Sequence, residues 1–169
     1  MGKIKILLAF SIVFAILLSG CTQQNPPAAT GSPQQNAADI ASNCMDIQDA
    51  QAKDACYGNA AMEGTEVSYC LKIEDQDAKT QCMLFIAGIT KEMQICGQLS
   101  LQDDRDYCYS RMAKDKYDMG ICGMVRGADL RDQCYWSFAQ VKKDRKICEK
   151  MSLQDVKDYC FKSIPELPS

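Results

Sequence analysis

From Cys44 to Cys160 the chain places a cysteine at steps that alternate between twelve and fourteen, without exception. The series runs Cys44, Cys56, Cys70, Cys82, Cys96, Cys108, Cys122, Cys134, Cys148 and Cys160. Two steps make a 26-residue period that recurs five times, the last copy truncated. A fixed period of this length marks a repeat architecture, in which each copy buries its apolar face only against its neighbours. Other columns keep the same step. Three residues after the first cysteine of each copy stand Ile47, Ile73, Leu99, Val125 and Met151. Four after the second stand Ala60, Ile86, Met112, Phe138 and Ile164, followed by Ala61, Ala87, Ala113 and Ala139, with Pro165 in the last copy. Tyr69, Ile95, Ile121 and Ile147 stand just before each new copy.

The spacing within a copy is helical. Cys108, Tyr109, Met112 and Ala113 share one face of a 3.6-residue helix. The stretch from Asp104 to Lys116 contains neither Pro nor Gly. Ser100-Leu101-Gln102-Asp103 has the form of a capping box with an acid at its fourth position, and Ser152-Leu153-Gln154-Asp155 repeats it. A longer helix is expected from about Leu101 to Tyr117. Asp118 then suits the N-cap of a short helix through Met119, Ile121, Cys122 and Val125, and Asp144 does the same one copy later. No alternating apolar run long enough for a strand occurs. The expected fold is all-α: five 26-residue helical hairpins, stapled by disulfides and stacked into a short solenoid. The small Ala column lets backbones approach, and Pro165 and Pro168 end the last helix, where no further copy docks.

The cysteines lack the arrangements that other chemistries require. There is no Cys-x-x-Cys, so zinc-ribbon, iron–sulfur and thioredoxin-like sites have no candidate, and no Cys-x-x-Cys-His for haem attachment. Disulfides are the expectation. Connectivity does not follow from spacing alone. Pairing across the shorter step leaves no cysteine over, however, whereas pairing across the longer step strands Cys44 and Cys160. Each bridge would then tie a short helix to the following long one.

The N-terminus sets the compartment. Lys3 and Lys5 precede an apolar run, Ile6 to Leu18, broken only by Ser11. This reads as a secretory signal, too short for a comfortable membrane span. It ends in Leu18-Ser19-Gly20-Cys21, which resembles the lipobox of prokaryotic lipoproteins over residues 1–21. In that family the cysteine thiol receives a diacylglyceryl group and the signal is cut just before it; the resemblance implies lipid attachment at Cys21. Two acyl chains hold a protein stably on a membrane without spanning it. The domains expected are a signal at 1–20, a lipidated cysteine with a disordered tether at 21–40, and the repeat domain at 41–169. Thr22 to Ala38 carries no charge and three prolines, too little apolar surface to offset its ordering entropy. The expected location is the extracytoplasmic side of a membrane, at the cell surface or in a periplasm.

Composition bears on function mostly by exclusion. Removing Lys3 and Lys5 leaves 17 bases against 22 acids, a net charge of −5, which disfavours a nucleic-acid partner. The chain has no histidine, hence no Ser-His-Asp arrangement. Its carboxylates recur with the repeat, as structural features do. No enzyme activity, cofactor or metal is expected. The column Lys53, Lys79, Arg105, Arg131 and Lys157, mostly followed by an acid (Asp54, Asp106, Asp132, Asp158), reads as a solvated face in the first turns of helices. Tyr57, Tyr109, Tyr135 and Phe161 fall beside the cysteines near the buried face. Tyr107 and Trp136 fall further round and are the candidate binding-surface residues. The leading expectation is a membrane-anchored module presenting a rigid helical surface to a protein or polymer partner. The alternatives are an envelope spacer without a ligand and a thiol redox or metal-handling protein.

Overall fold

The computed structural model describes residues 36–165. The signal-like segment, Cys21 with its lipobox, most of the tether and residues 166–169 lie outside the described residues.

Five long helices, Ala50–Gly64, Gln76–Thr90, Gln102–Asp115, Ala128–Lys142 and Gln154–Ser163, alternate with five short elements. The short elements are the α-helices Ala37–Cys44, Val67–Cys70 and Met93–Gln98 and the 3-10 turns Met119–Met124 and Arg145–Lys150. No strand occurs among the described residues. Each long helix packs against the next, and each short element after the first packs against the long helices before and after it. The chain is thus an all-α array of stacked hairpins. Asp118 and Asp144 cap their short elements through the N–H of Gly120 at 2.8 Å and of Lys146 at 2.9 Å.

The bridges run Cys44–Cys56, Cys70–Cys82, Cys96–Cys108, Cys122–Cys134 and Cys148–Cys160, all in the shorter register. Their Cα–Cα distances fall between 5.4 and 5.7 Å. Each joins a short element to the long helix that follows it. Closing a loop of this size constrains the unfolded chain by roughly 3 kcal/mol.

The apolar columns are buried as their phase requires. Ile86, Met112, Phe138 and Ile164, the alanines Ala61, Ala87, Ala113 and Ala139, and Ile95, Ile121 and Ile147 are all buried. Most of the core is one cluster running from Ala61 to Ile164. The first copy departs from this continuity. Ile47 is only half-buried, and Cys44, Tyr57 and Ile73 form a small cluster of their own. Among the described residues no earlier copy packs on this end.

Two local details differ from the sequence reading. The boxes at Ser100 and Ser152 do not form: the N-caps are Leu101 and Leu153, without a side-chain cap. The two serine hydroxyls serve contacts with the preceding copy instead. The first short helix also begins at Ala37, capped by Asn36, so residues 37–40 of the stretch read as tether are helical. Ala37 lies so close to Gly64 that a Cβ there would meet its own Cβ at 2.8 Å.

The turns leaving the first four long helices share a strained column. Thr65, Lys91, Tyr117 and Lys143, each one repeat period on from the last, adopt φ of 51–59°. In each turn the carbonyl of the Ala column accepts an N–H from the turn: Glu66 and Lys91 bond Ala61 and Ala87, and Asp118 and Asp144 bond Ala113 and Ala139. Left-handed ends of this kind satisfy helix carbonyls that would otherwise lack donors.

Candidate functional site

Three of the four acids that follow the basic column do not lie on a solvated face. Asp54, Asp106 and Asp132 are buried, and each reaches across to the next copy. Asp54 accepts the N–H groups of Glu74 and Asp75 at 2.8 and 2.9 Å. Asp106 accepts those of Arg126 and Gly127 at 2.9 and 2.7 Å. Asp132 accepts those of Ser152 and Leu153 at 2.9 and 2.7 Å. In each case one carboxylate holds the two N–H groups at the start of the next long helix, where the helix dipole also favours negative charge. The N–H donors from Glu74 and Asp75 hold the Asp54 carboxyl below its ordinary range. At Asp106 burial opposes ionisation, but the N–H groups of Arg126 and Gly127 and the Gln102 amide outweigh it, and its pKa too is lowered.

The basic column is likewise half-buried. Arg105 donates to the carbonyls of Leu99 and Ser100, Arg131 to that of Arg126, and Lys157 to that of Glu149. In the sequence both columns read as a solvated face because charged side chains are common in the first turns of helices. Stacking of the next copy covers that side. Copy two breaks the pattern. Thr80 occupies the acid position, buried, and accepts the Gln76 amide at 3.4 Å; the same amide reaches the Ser100 hydroxyl at 2.8 Å. In the last copy Asp158 is exposed and holds only the Gln154 amide. These groups are joints between repeats, and their chemistry is structural.

The two aromatic candidates part company. Tyr107 is exposed, as its phase requires. Trp136 is half-buried and stacks on Tyr159 of the next long helix, centroids 5.3 Å apart at 54°. The neighbouring copy covers the face on which an isolated helix would display it.

The same register three copies earlier places Gly58 where Trp136 stands and Gln81 where Tyr159 stands. There the joint is open. A Cβ at Gly58 would meet nothing within 4 Å. The result is a groove of about 780 Å³ between the first two long helices, floored by Ala55, Gly58, Ile73 and Ala78. Met62 lies on its wall, and its titratable lining (Asp54, Glu74, Asp75) is acidic. Phe85 lies one turn beyond Gln81 and Ile89 another turn on; with Met62 they are about half exposed. Sequence reasoning missed the groove because a void belongs to two columns at once. The signal available was Gly58 in a column otherwise filled by Leu84, Ser110, Trp136 and Lys162.

Fold and joints define a disulfide-stapled α-helical repeat protein. No family model, curated protein or solved structure matches this chain. Among the described residues no cluster of metal-ligating side chains occurs, and no helix is long and apolar enough to cross a membrane.

Proposed function

We propose that this chain is a membrane-anchored, extracytoplasmic lipoprotein whose repeat array binds a protein or polymer partner, and that the groove between its first two long helices is the binding surface. The observation that carries this reading is the unfilled joint at Gly58, with Met62, Phe85 and Ile89 exposed on the same two helices. Apolar surface of this kind, rimmed by polar groups, is characteristic of interaction sites. The acidic lining favours a partner segment that carries cations beside its apolar side chain. The anchor rests on Leu18-Ser19-Gly20-Cys21, and an oxidising compartment suits the five bridges. Every cysteine among the described residues is bridged, which supports a structural role for these ten.

Two substitutions at the groove test the reading. Gly58→Trp with Gln81→Tyr copies the filled fourth joint into the first and should keep the fold. Partners cross-linked to wild-type protein in intact envelopes should be lost from this variant, as judged by mass spectrometry. Equal recovery with both proteins would exclude the groove. Recovery of no partner by either would favour an envelope spacer. The anchor is tested separately: Cys21→Ala should move the protein from the detergent phase to the aqueous phase.

A further inference from the structure

We infer that the turn between the fourth long helix and the last short element is an anion-binding site for phosphate groups. Repetition supplies an internal control: what the turns share is scaffold, and what one turn has alone needs another explanation. All four turns carry a left-handed residue followed by an acid. The first three are Gly64-Thr65-Glu66-Val67-Ser68, Thr90-Lys91-Glu92-Met93-Gln94 and Lys116-Tyr117-Asp118-Met119-Gly120. The fourth is Lys142-Lys143-Asp144-Arg145-Lys146, in which every residue but the acid is a cation. The fold does not require all four, since its other turns close with one cation or none at these positions.

These cations surround a cavity of about 560 Å³, which Phe161 and Pro165 also line. The Arg145 guanidinium lies over the Phe161 ring, 5.1 Å from its centroid. Lys142 lies over Tyr117 and Phe138 at 5.5 and 5.7 Å. Lys142, Lys143 and Lys146 make no ion pair among the described residues. Two acids, Asp144 and Glu149, also line the cavity, so its residues carry a net charge of +2. The local charge also opposes that of the array before it, since residues 36–141 hold 17 acids against ten bases. Three clustered lysines with no ion pair among the described residues suit multiply charged phosphate better than a single carboxylate. The cavity has room for more than one such group. Such phosphate has two sources, a soluble phosphorylated compound or the headgroups of the membrane to which the protein is anchored.

The test uses the full chain in detergent, titrated calorimetrically with inorganic tripolyphosphate, and separately its sedimentation with phosphatidylglycerol or phosphatidylcholine vesicles. Lys143→Gly with Lys146→Gln removes two charges, and the glycine eases the turn, so this variant should fold. Lys114→Gln with Lys116→Gln removes the same charge one copy earlier. Saturable tripolyphosphate binding should weaken about tenfold in the first variant and stay nearly unchanged in the second. Binding to phosphatidylglycerol vesicles alone, with the same sensitivity, would place the phosphate on lipid headgroups. Equal losses in both variants would reduce the effect to general charge, and no binding to either probe would overturn the site. Gly58→Trp should leave this binding intact, so the groove and the turn stand or fall separately.

Discussion

Of the four joints between consecutive long helices, three are closed by a buried carboxylate and the second by Thr80. The apolar columns do not distinguish them: Ile86 and Phe138 are buried alike. The difference is therefore confined to the polar link. At the fourth joint Asp132 holds two N–H groups directly. At the second, Gln76 bridges Thr80 to the Ser100 hydroxyl, and Arg105 holds the carbonyls of Leu99 and Ser100. Packing makes the array, and the carboxylate fixes where each new helix begins. A hydroxyl offers one oxygen and no charge where a carboxylate offers two charged oxygens, and the second joint uses side chains from both copies.

The largest effects should come from packing, and they should be nearly blind to the joint. Phe138→Ala should cost about 3–5 kcal/mol and Ile86→Ala about 2–5 kcal/mol in denaturant unfolding of the oxidised protein. A loss under about 1 kcal/mol at either position, well below the range for buried side chains, would mean that its copies do not share a core. The polar links should then separate the joints. Asp132→Ala leaves two N–H groups without their charged acceptor and should cost about 3 kcal/mol. Thr80→Ala removes one long hydrogen bond and should cost about 1 kcal/mol or less. Equal losses would erase the distinction drawn between the second and fourth joints.

Acid sharpens the same contrast. Asp54 and Asp106 have folded pKa values below their ordinary ones, so the unfolded chain binds protons first as the pH falls. Their contribution is complete above the unfolded carboxylate value, near pH 4, and is lost as the pH drops through the lower folded values. The denaturation midpoint should fall between pH 6 and pH 3. It should fall less in Asp54→Asn and Asp106→Asn, and no less in Thr80→Ala. An identical acid slope in all four proteins would remove the carboxylates from the account.

What the sequence reveals follows from how local each feature is. The apolar columns are legible because their residue type and helical phase both repeat. The bridges are legible because only one register uses every cysteine. The acid joints are not, because their donors lie in another helix, as Arg126 and Gly127 do for Asp106. An aspartate after a base near a helix start reads equally well as an ordinary first-turn acid. Trp136 misleads for the same reason, since its exposure depends on Tyr159 in the next copy. The groove at Gly58 and the cation cluster at Lys142–Lys146 become visible only when copies are compared at matched positions. The left-handed column has no residue signature at all: Thr, Lys, Tyr and Lys share nothing that marks the turn.

That column gives the smallest expected effect, and it tests whether turns and joints are independent. A side chain in the left-handed region costs about 1–2 kcal/mol, which glycine avoids while loosening the unfolded chain by part of that amount. Thr65 is β-branched, and its hydroxyl bonds only the neighbouring Gly64 carbonyl. Thr65→Gly should therefore stabilise the domain by about 0.5–1 kcal/mol. Lys91→Gly gains the same relief but gives up the exposed ion pair to Asp115 at 2.7 Å, so its net change should be near zero. Thr65 leads into the first joint, closed by Asp54, and Lys91 into the second, closed through Thr80. Combining Thr65→Gly with Asp54→Asn should give the sum of the separate changes, because the turn's hydrogen bonds end on Ala61 and not on the carboxylate. Additivity that fails by clearly more than about 0.5 kcal/mol, in thermal and denaturant unfolding alike, would show that turn and joint form one device. The second joint would then differ from the others in more than its missing acid.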